Sequence, residues 1–370
     1  MSRKAFLRLL TAVAASTALI SAATGATAGD AEHSRDAVYT MSNSTAGNSV
    51  LQFNQSADGS LTAGASYPSG GLGTGAGLGN QGALIADGRH LFAVNAGSDD
   101  LSVFRVTRRG LRLVDRVPSG GIRPVSVTVH ENLVYVLNAG SDNIAGFRLR
   151  RNGRLEGLFG SEQGLSGSGT APAQIEFSKD GGILIVTEKA TNNLVTFAID
   201  EEGLPHDRTV IPSPGQTPFG FALGKDRQLF VSEAAGGAPN ASSVTAWRIV
   251  RNGDLRVIDP TSATLQSAAC WVVVTPDGRF AYVTNTGSGT ISGFRIGGRG
   301  QLRLLNADGI TATAGRAPID LALSDDGRLL HVLNSTSHSI GTFRVLSDGQ
   351  LEHVGDVEGL PPGSNGLAAF

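Results

Sequence analysis

The 370-residue sequence predicts an all-β fold: a seven-bladed β-propeller with four antiparallel strands per blade, its ring closed by the C-terminal strand. Three observations lead there. One phrase recurs seven times, an aromatic residue closes every copy, and apolar residues alternate with period two inside the copies.

The phrase is clearest in LFAVNAGSDDLSVFRV (91–106), VYVLNAGSDNIAGFRL (134–149), AYVTNTGSGTISGFRI (281–296) and LHVLNSTSHSIGTFRV (330–345). Weaker copies occupy 38–53, 184–199 and 229–249, the last stretched by an insertion. The closing aromatics are Phe53, Phe104, Phe147, Phe197, Trp247, Phe294 and Phe343, at intervals of 51, 43, 50, 50, 47 and 49 residues. A Gly and then a Leu follow each aromatic, from Gly59 and Leu61 to Gly349 and Leu351.

Residues 269–305 show the unit in full. CWVVVT reads as a first strand, PDG as a turn and FAYVTN as a second strand; TISGFRI and QLRLL follow as third and fourth. The ends supply closure. Ala37–Met41 reads as a second strand with nothing before it, and SNGLAAF (364–370) as a first strand with nothing after it. Pairing them completes the N-terminal blade and removes an open sheet edge.

Composition agrees. Fifty Gly and 14 Pro punctuate turns, while 40% hydrophobic residues supply a core, which excludes collagen, coiled coil and disorder. Arg3, Lys4 and Arg8 precede an apolar stretch at Leu9–Ala23 and small residues at Ala26–Ala28, the pattern of an export signal over residues 1–28. The mature domain is then 29–370, secreted or periplasmic and free of the membrane after signal removal. Losing the signal shifts the formal charge from −2 to −5. No run of Lys or Arg dominates any stretch, so a nucleic-acid partner is not expected. Cys270 is the single cysteine, which rules out an intramolecular disulfide and a cysteine-rich zinc site. No His pair has metal-ligand spacing, and neither metal nor cofactor is expected. Seven closed blades are expected to be monomeric.

The phrases DGRFAYVTNTGSGTISGF (277–294) and FSKDGGILIVTEKATNNLVTFAID (177–200) resemble the lactonase family of seven-bladed propellers, which includes phosphogluconolactonase and carboxymuconate cyclase. The resemblance covers nearly the whole mature chain. It implies metal-independent opening or closing of a lactone ring on a small-molecule substrate. The family's Pro-Arg-His element is matched by Pro172, Ala173 and Gln174, so only the proline is kept. Glu188 stands at the family's glutamate, Arg123 and Val125 replace the two histidines of a His-Pro-His element, and Thr286 replaces an arginine.

Strand topology says where to look. First strands begin and second strands end on one face of the ring, so their side chains converge on one mouth of the channel. Second strands end in Asn95, Asn138, Asn285 and Asn334, but in Glu188 and Glu233 in two repeats. A carboxylate can move protons where Asn cannot, which makes Glu188 the candidate acid or base. Catalysis by Glu188 predicts that Glu188→Gln abolishes turnover and barely affects folding. Arg123 and Arg316 precede first strands and are candidates to hold a carboxylate or oxyanion. Glu233, Gln174, Glu176, Asp320 and Trp271 are candidate substrate-binding residues, with Cys270 and Trp271 standing where other repeats have Pro and an apolar residue. The Gly-rich stretch 70–82 has no helix after it and reads as a loop placed to lid the mouth. A non-catalytic propeller that binds a small molecule, glycan or protein through the same face is the alternative reading.

Overall fold

A computed structural model describes residues 37–370; the expected leader over residues 1–28 lies outside the described residues. The chain forms seven antiparallel sheets in a ring. Blade 1 is built from both ends of the chain, in the order Leu61–Pro68, Ser49–Gln55, Ala37–Met41 and, innermost, Asn365–Ala369. Blades 2 to 7 run outward in chain order, with innermost strands Leu84–Ala86, Pro124–His130, Pro172–Phe177, Pro218–Leu223, Ala269–Val274 and Pro318–Leu323. Blades 3 and 6 depart from the simple pattern. Their fourth strands break into two short pieces, Leu155–Gly157 with Gln163–Gly164 and Leu302–Leu304 with Ala312–Thr313. The insertion after Glu233 adds one turn of 3-10 helix, Ala235–Gly237.

The repeated glycine has a structural cause. Gly59, Gly110, Gly153, Gly203, Gly253, Gly300 and Gly349 all turn from third to fourth strand with φ between 84° and 99°, a region L side chains rarely adopt. Each also faces the preceding blade. A Cβ on Gly203 would stand 2.5 Å from Leu133, and one on Gly349 2.4 Å from Phe280. Two buried tyrosines use the same contact, Tyr135 donating to the Gly203 carbonyl at 2.6 Å and Tyr282 to that of Gly349 at 2.8 Å. The core lies between blades and is filled by the closing aromatics, Phe104, Phe197, Trp247 and Phe294 among them.

Closure rests on a short strand with several anchors. Thr40 Oγ1 donates to the Gly366 carbonyl at 2.6 Å, and Phe370 meets Tyr39 edge-on at 5.7 Å. Leu367 and Ala368 are buried. Deleting 364–370 should therefore abolish the cooperative thermal transition and leave insoluble protein. Thr40→Val should cost about 1 kcal/mol by denaturant titration, the net worth of one buried hydrogen bond.

Candidate active site

On the upper face, where second strands end, the structure places both unusual glutamates inside the blades. Glu188 has no exposed surface; Ser166 N donates to it at 2.9 Å, and the Ser166 and Thr191 hydroxyls complete its shell. Glu233 is equally buried and accepts from Ser213 Oγ at 3.0 Å, Gly215 N at 3.2 Å and the hydroxyls of Ser243 and Thr245. Burial pushes the Glu233 carboxyl above its ordinary range against these donors. Asn95 serves the same purpose in blade 2, donating to Asp100 at 2.6 Å and Ser102 at 2.8 Å and accepting from Ser69 at 2.7 Å. The glutamates thus replace Asn where the neighbours are donors, tying each second strand to the loop that enters its blade.

Arg123 and Arg316 are exposed on the same face but on blades 3 and 7, whose inner strands are not neighbours in the ring. Arg123 holds φ of 56°, and its N–H donates to Asp99 at 2.6 Å. Neither guanidinium hydrogen-bonds or ion-pairs with either glutamate, although the Arg123 charge reaches Lys189, the residue after Glu188.

The mouth on which the candidate residues were expected to converge is filled. The Gly-rich segment between blades 1 and 2 enters the channel and bonds to blades 3, 4 and 6. Asn80 donates to the Val125 carbonyl and accepts from Trp271 Nε1 at 2.7 Å. Gln81 N donates to Ala173 O at 3.1 Å, while its side-chain amide pairs with both backbone groups of Val272 at 2.9 and 3.2 Å. Lys189 Nζ donates to the Gly79 carbonyl and lies 4.9 Å over the Phe219 ring. Burial lowers the Lys189 ammonium to about 8. Trp271 packs on Phe219 at 4.8 Å and belongs to this seal. Register corrects its expected place: Ala269 pairs with Asn285 where other blades place Pro, and the bulge that follows moves Trp271 opposite Thr284. Cys270 is buried beside it, its thiol pushed up to about 12 by burial, so thiolate chemistry is disfavoured.

Below the plug the channel is a cavity of about 520 Å³, with Gln81 and Gly82 among its lining residues. It runs down to Ser178, Lys179 and His130, on the face of the first-to-second-strand hairpins. Gln174, Glu176 and Asp320 line it, as their alternation along the inner strands implies. Two of them clip neighbouring strands. Gln174 pairs with both backbone groups of Phe221 at 2.7 and 3.0 Å, and Asp320 accepts from the backbone of Leu321 at 2.8 Å and from that of Leu367. Burial nevertheless pushes the Asp320 carboxyl well above its usual range.

Glu176 differs. It is half-buried in the wall, and Gln174 Nε2 donates to one of its oxygens at 3.0 Å; no other hydrogen bond reaches its carboxylate from the described residues. Burial raises its carboxyl to about 7, against the opposing pull of Lys179 and Gln174. A carboxyl with a free oxygen and this acidity can gain or lose a proton near neutrality. Among the described residues no cluster of three His, Cys, Asp or Glu side chains gathers as a metal site.

Sequence reasoning missed Lys179, His130, Gln81 and Lys189. Lys179 and His130 sit in or beside first hairpins, on the face opposite the mouth where the candidates were placed, and Lys189 follows the glutamate that drew attention instead. Gln81 lies inside the Gly-rich loop, where only its position before an inner strand hinted at the channel.

This arrangement defines a class: a seven-bladed propeller around a polar cavity of small-molecule size. The family model described as "Lactonase, 7-bladed beta-propeller" matches residues 32–164 and 240–362. The chain belongs to this family. The matched segments flank a stretch that carries Gln174, Glu176, Glu188 and Glu233. No curated protein matches the sequence. A Lactobacillus plantarum protein of solved structure is similar at 17% identity and TM-score 0.73, covering 90% of this chain and 98% of its own. A putative 6-phosphogluconolactonase from Bacteroides fragilis is similar at 19% identity and TM-score 0.68, covering 90% and 97%. The periplasmic gluconolactonase PpgL from Pseudomonas aeruginosa is similar at 19% identity and TM-score 0.69, covering 89% and 98%. At these identities the likeness is one of fold.

The shell around Glu188 revises the expected effect of its substitution. Glu188→Gln places an amide NH₂ against hydroxyl and N–H donors, so it should destabilise the fold by about 1–3 kcal/mol in denaturant titration. Removing the plug's latch should be visible separately. Lys189→Ala should red-shift the emission of Trp271 and raise its acrylamide quenching, read in a Trp247→Phe background.

Proposed function

We propose that this protein is an exported hydrolase of neutral sugar-acid lactones, acting inside the central channel. The observation that carries the reading is Glu176, a carboxyl held near neutral acidity with one oxygen open to a cavity of about 520 Å³. Family membership supplies the reaction class, and the leader pattern at residues 1–28 supports export.

The ionised Glu176 takes a proton from a water as that water attacks the lactone carbonyl. Collapse of the tetrahedral adduct breaks the ring C–O bond, and the same carboxyl returns the proton to the departing ring oxygen. The product is the open hydroxy acid, and atoms and charge balance without a metal. Asp320, on the far wall, accepts hydrogen bonds from sugar hydroxyls. The ionised Glu176 favours a neutral lactone over a muconate-type substrate, whose own carboxylates it repels. Lys179 at the lower mouth opposes charge build-up as the acidic product leaves.

The buried glutamates Glu188 and Glu233 and the plugged upper mouth favour a second reading, a propeller that binds a sugar in the channel without turning it over. Proton release from a panel of sugar lactones separates the two. Turnover should rise with pH through about 7 and fall at least a hundredfold in Glu176→Gln, the lower end of a general base's contribution. No turnover by either protein above the uncatalysed rate would remove the hydrolase reading and leave the binding one, and equal turnover in both would take the chemistry away from Glu176.

A check on the acidity itself needs no substrate. The folded-state value of about 7 lies above the ordinary 4.5, so between these the folded protein keeps a proton that the unfolded chain gives up. Glu176 therefore lowers stability as pH rises across that window. The melting temperature of Glu176→Gln relative to the wild type should be higher at pH 8 than at pH 4.

A further inference from the structure

The chain is slightly acidic overall, yet the structure gathers arginine on one part of the lower face. The third-to-fourth-strand hairpin of blade 2 carries Arg108, Arg109 and Arg112, and that of blade 3 carries Arg150, Arg151 and Arg154; all six are exposed. These hairpins lie side by side. Arg105 Nη2 donates to the Arg151 carbonyl at 3.3 Å, and Asp115 accepts from Leu155 N at 2.8 Å. Of the six, Arg150 is ion-paired, to Glu156, and the other five meet no carboxylate among the described residues. The remaining nearby acids are engaged or peripheral: Asp87 bonds His90, and Glu131 lies in the inner hairpin of blade 3. Glu201 and Glu202 bound the patch on blade 4, where Arg148 donates to the Glu202 carbonyl at 2.7 Å.

We propose that these two hairpins form a docking surface for an acidic polysaccharide, an extended chain bearing regularly spaced carboxylates. The residue type argues for it, since all six cations are arginines, whose planar forks take carboxylates bidentately where lysine offers a point charge. The surroundings argue against other polyanions. The exposed aromatic nearby, Phe159, stands past the blade 3 hairpin and alone offers no row on which successive bases could stack, among the described residues no helix is placed to enter a duplex groove, and Leu113 beside Arg112 is too little apolar surface to enter a lipid layer. The surface also lies on the face where the channel opens, so a bound polymer holds the protein with its entrance near that polymer.

The test is binding of the purified protein to immobilised polygalacturonate at 50 and 200 mM NaCl. Binding should be saturable and at least about tenfold weaker at the higher salt. Arg108→Ala/Arg109→Ala/Arg112→Ala and Arg150→Ala/Arg151→Ala/Arg154→Ala should each weaken it about tenfold and flatten the salt dependence, with melting temperatures unchanged. The matching Arg→Lys sets should keep the salt dependence and still bind several-fold more weakly. Absent binding, alanine sets indistinguishable from the wild type, or tighter binding to duplex DNA or to phosphatidylglycerol vesicles would each overturn the proposal.

Discussion

Each blade leans on the one before it through a glycine that cannot carry a side chain. At every third-to-fourth-strand turn the backbone has positive φ, and at all but Gly253 the missing Cβ leaves room for a residue of the preceding blade. Gly59 extends the contact to Leu329 of blade 7, so the seventh interface is of the same kind as the other six. One turn repeated round the ring thus gives neighbouring sheets a recurring contact. The apolar burial between blades provides the larger free energy, but it is non-directional and would not by itself fix seven as the number.

The inner strands solve a different problem. Their edges face the channel, where backbone groups lack a further strand. The molecule joins them with side chains: Gln174 to Phe221, Ser232 to Gly220 and Cys270, Asp320 to Leu321 and Leu367. Polar residues in a propeller channel are therefore first of all fasteners, and Glu176 stands out because it fastens nothing. Chemistry is assigned to it by subtraction from a structural requirement that its neighbours visibly meet.

Fold and closure were legible in the sequence because both are written as repeats. The aromatic spacing, the glycine turns and the unmatched terminal strands each have one geometric solution. The site was half legible. Departure from the repeat pointed to Glu188 and Glu233, and the departures are real, but their meaning lay in partners such as Ser166 and Ser213 that only folding brings together. Alternation along the inner strand placed Glu176 and Asp320 in the channel. What it could not show was which end of the channel is open, since that depends on loop 69–83 crossing from blade 1 to blades 3, 4 and 6. The arginine surface was hidden for a related reason. Its two hairpins are some forty residues apart in the chain, about one propeller repeat, and neither is exceptional alone.

The loop that stops the upper mouth is anchored at its base by Asn43, whose Nδ2 donates to Ala76 O at 2.7 Å and to Gly363 O at 3.1 Å. Gly363 leads directly into the closing strand, and Leu84, just past the loop, stands against Gly366. Stopper and seam are thus one mechanical unit. A chain end that frays would do more than open a blade; it would also take away one of the anchors at the base of the loop, leaving it held by Asn80, Gln81 and Lys189 alone. The strand that closes the ring therefore also borders the stopper of its upper mouth, and damage to one end of the chain is felt at both.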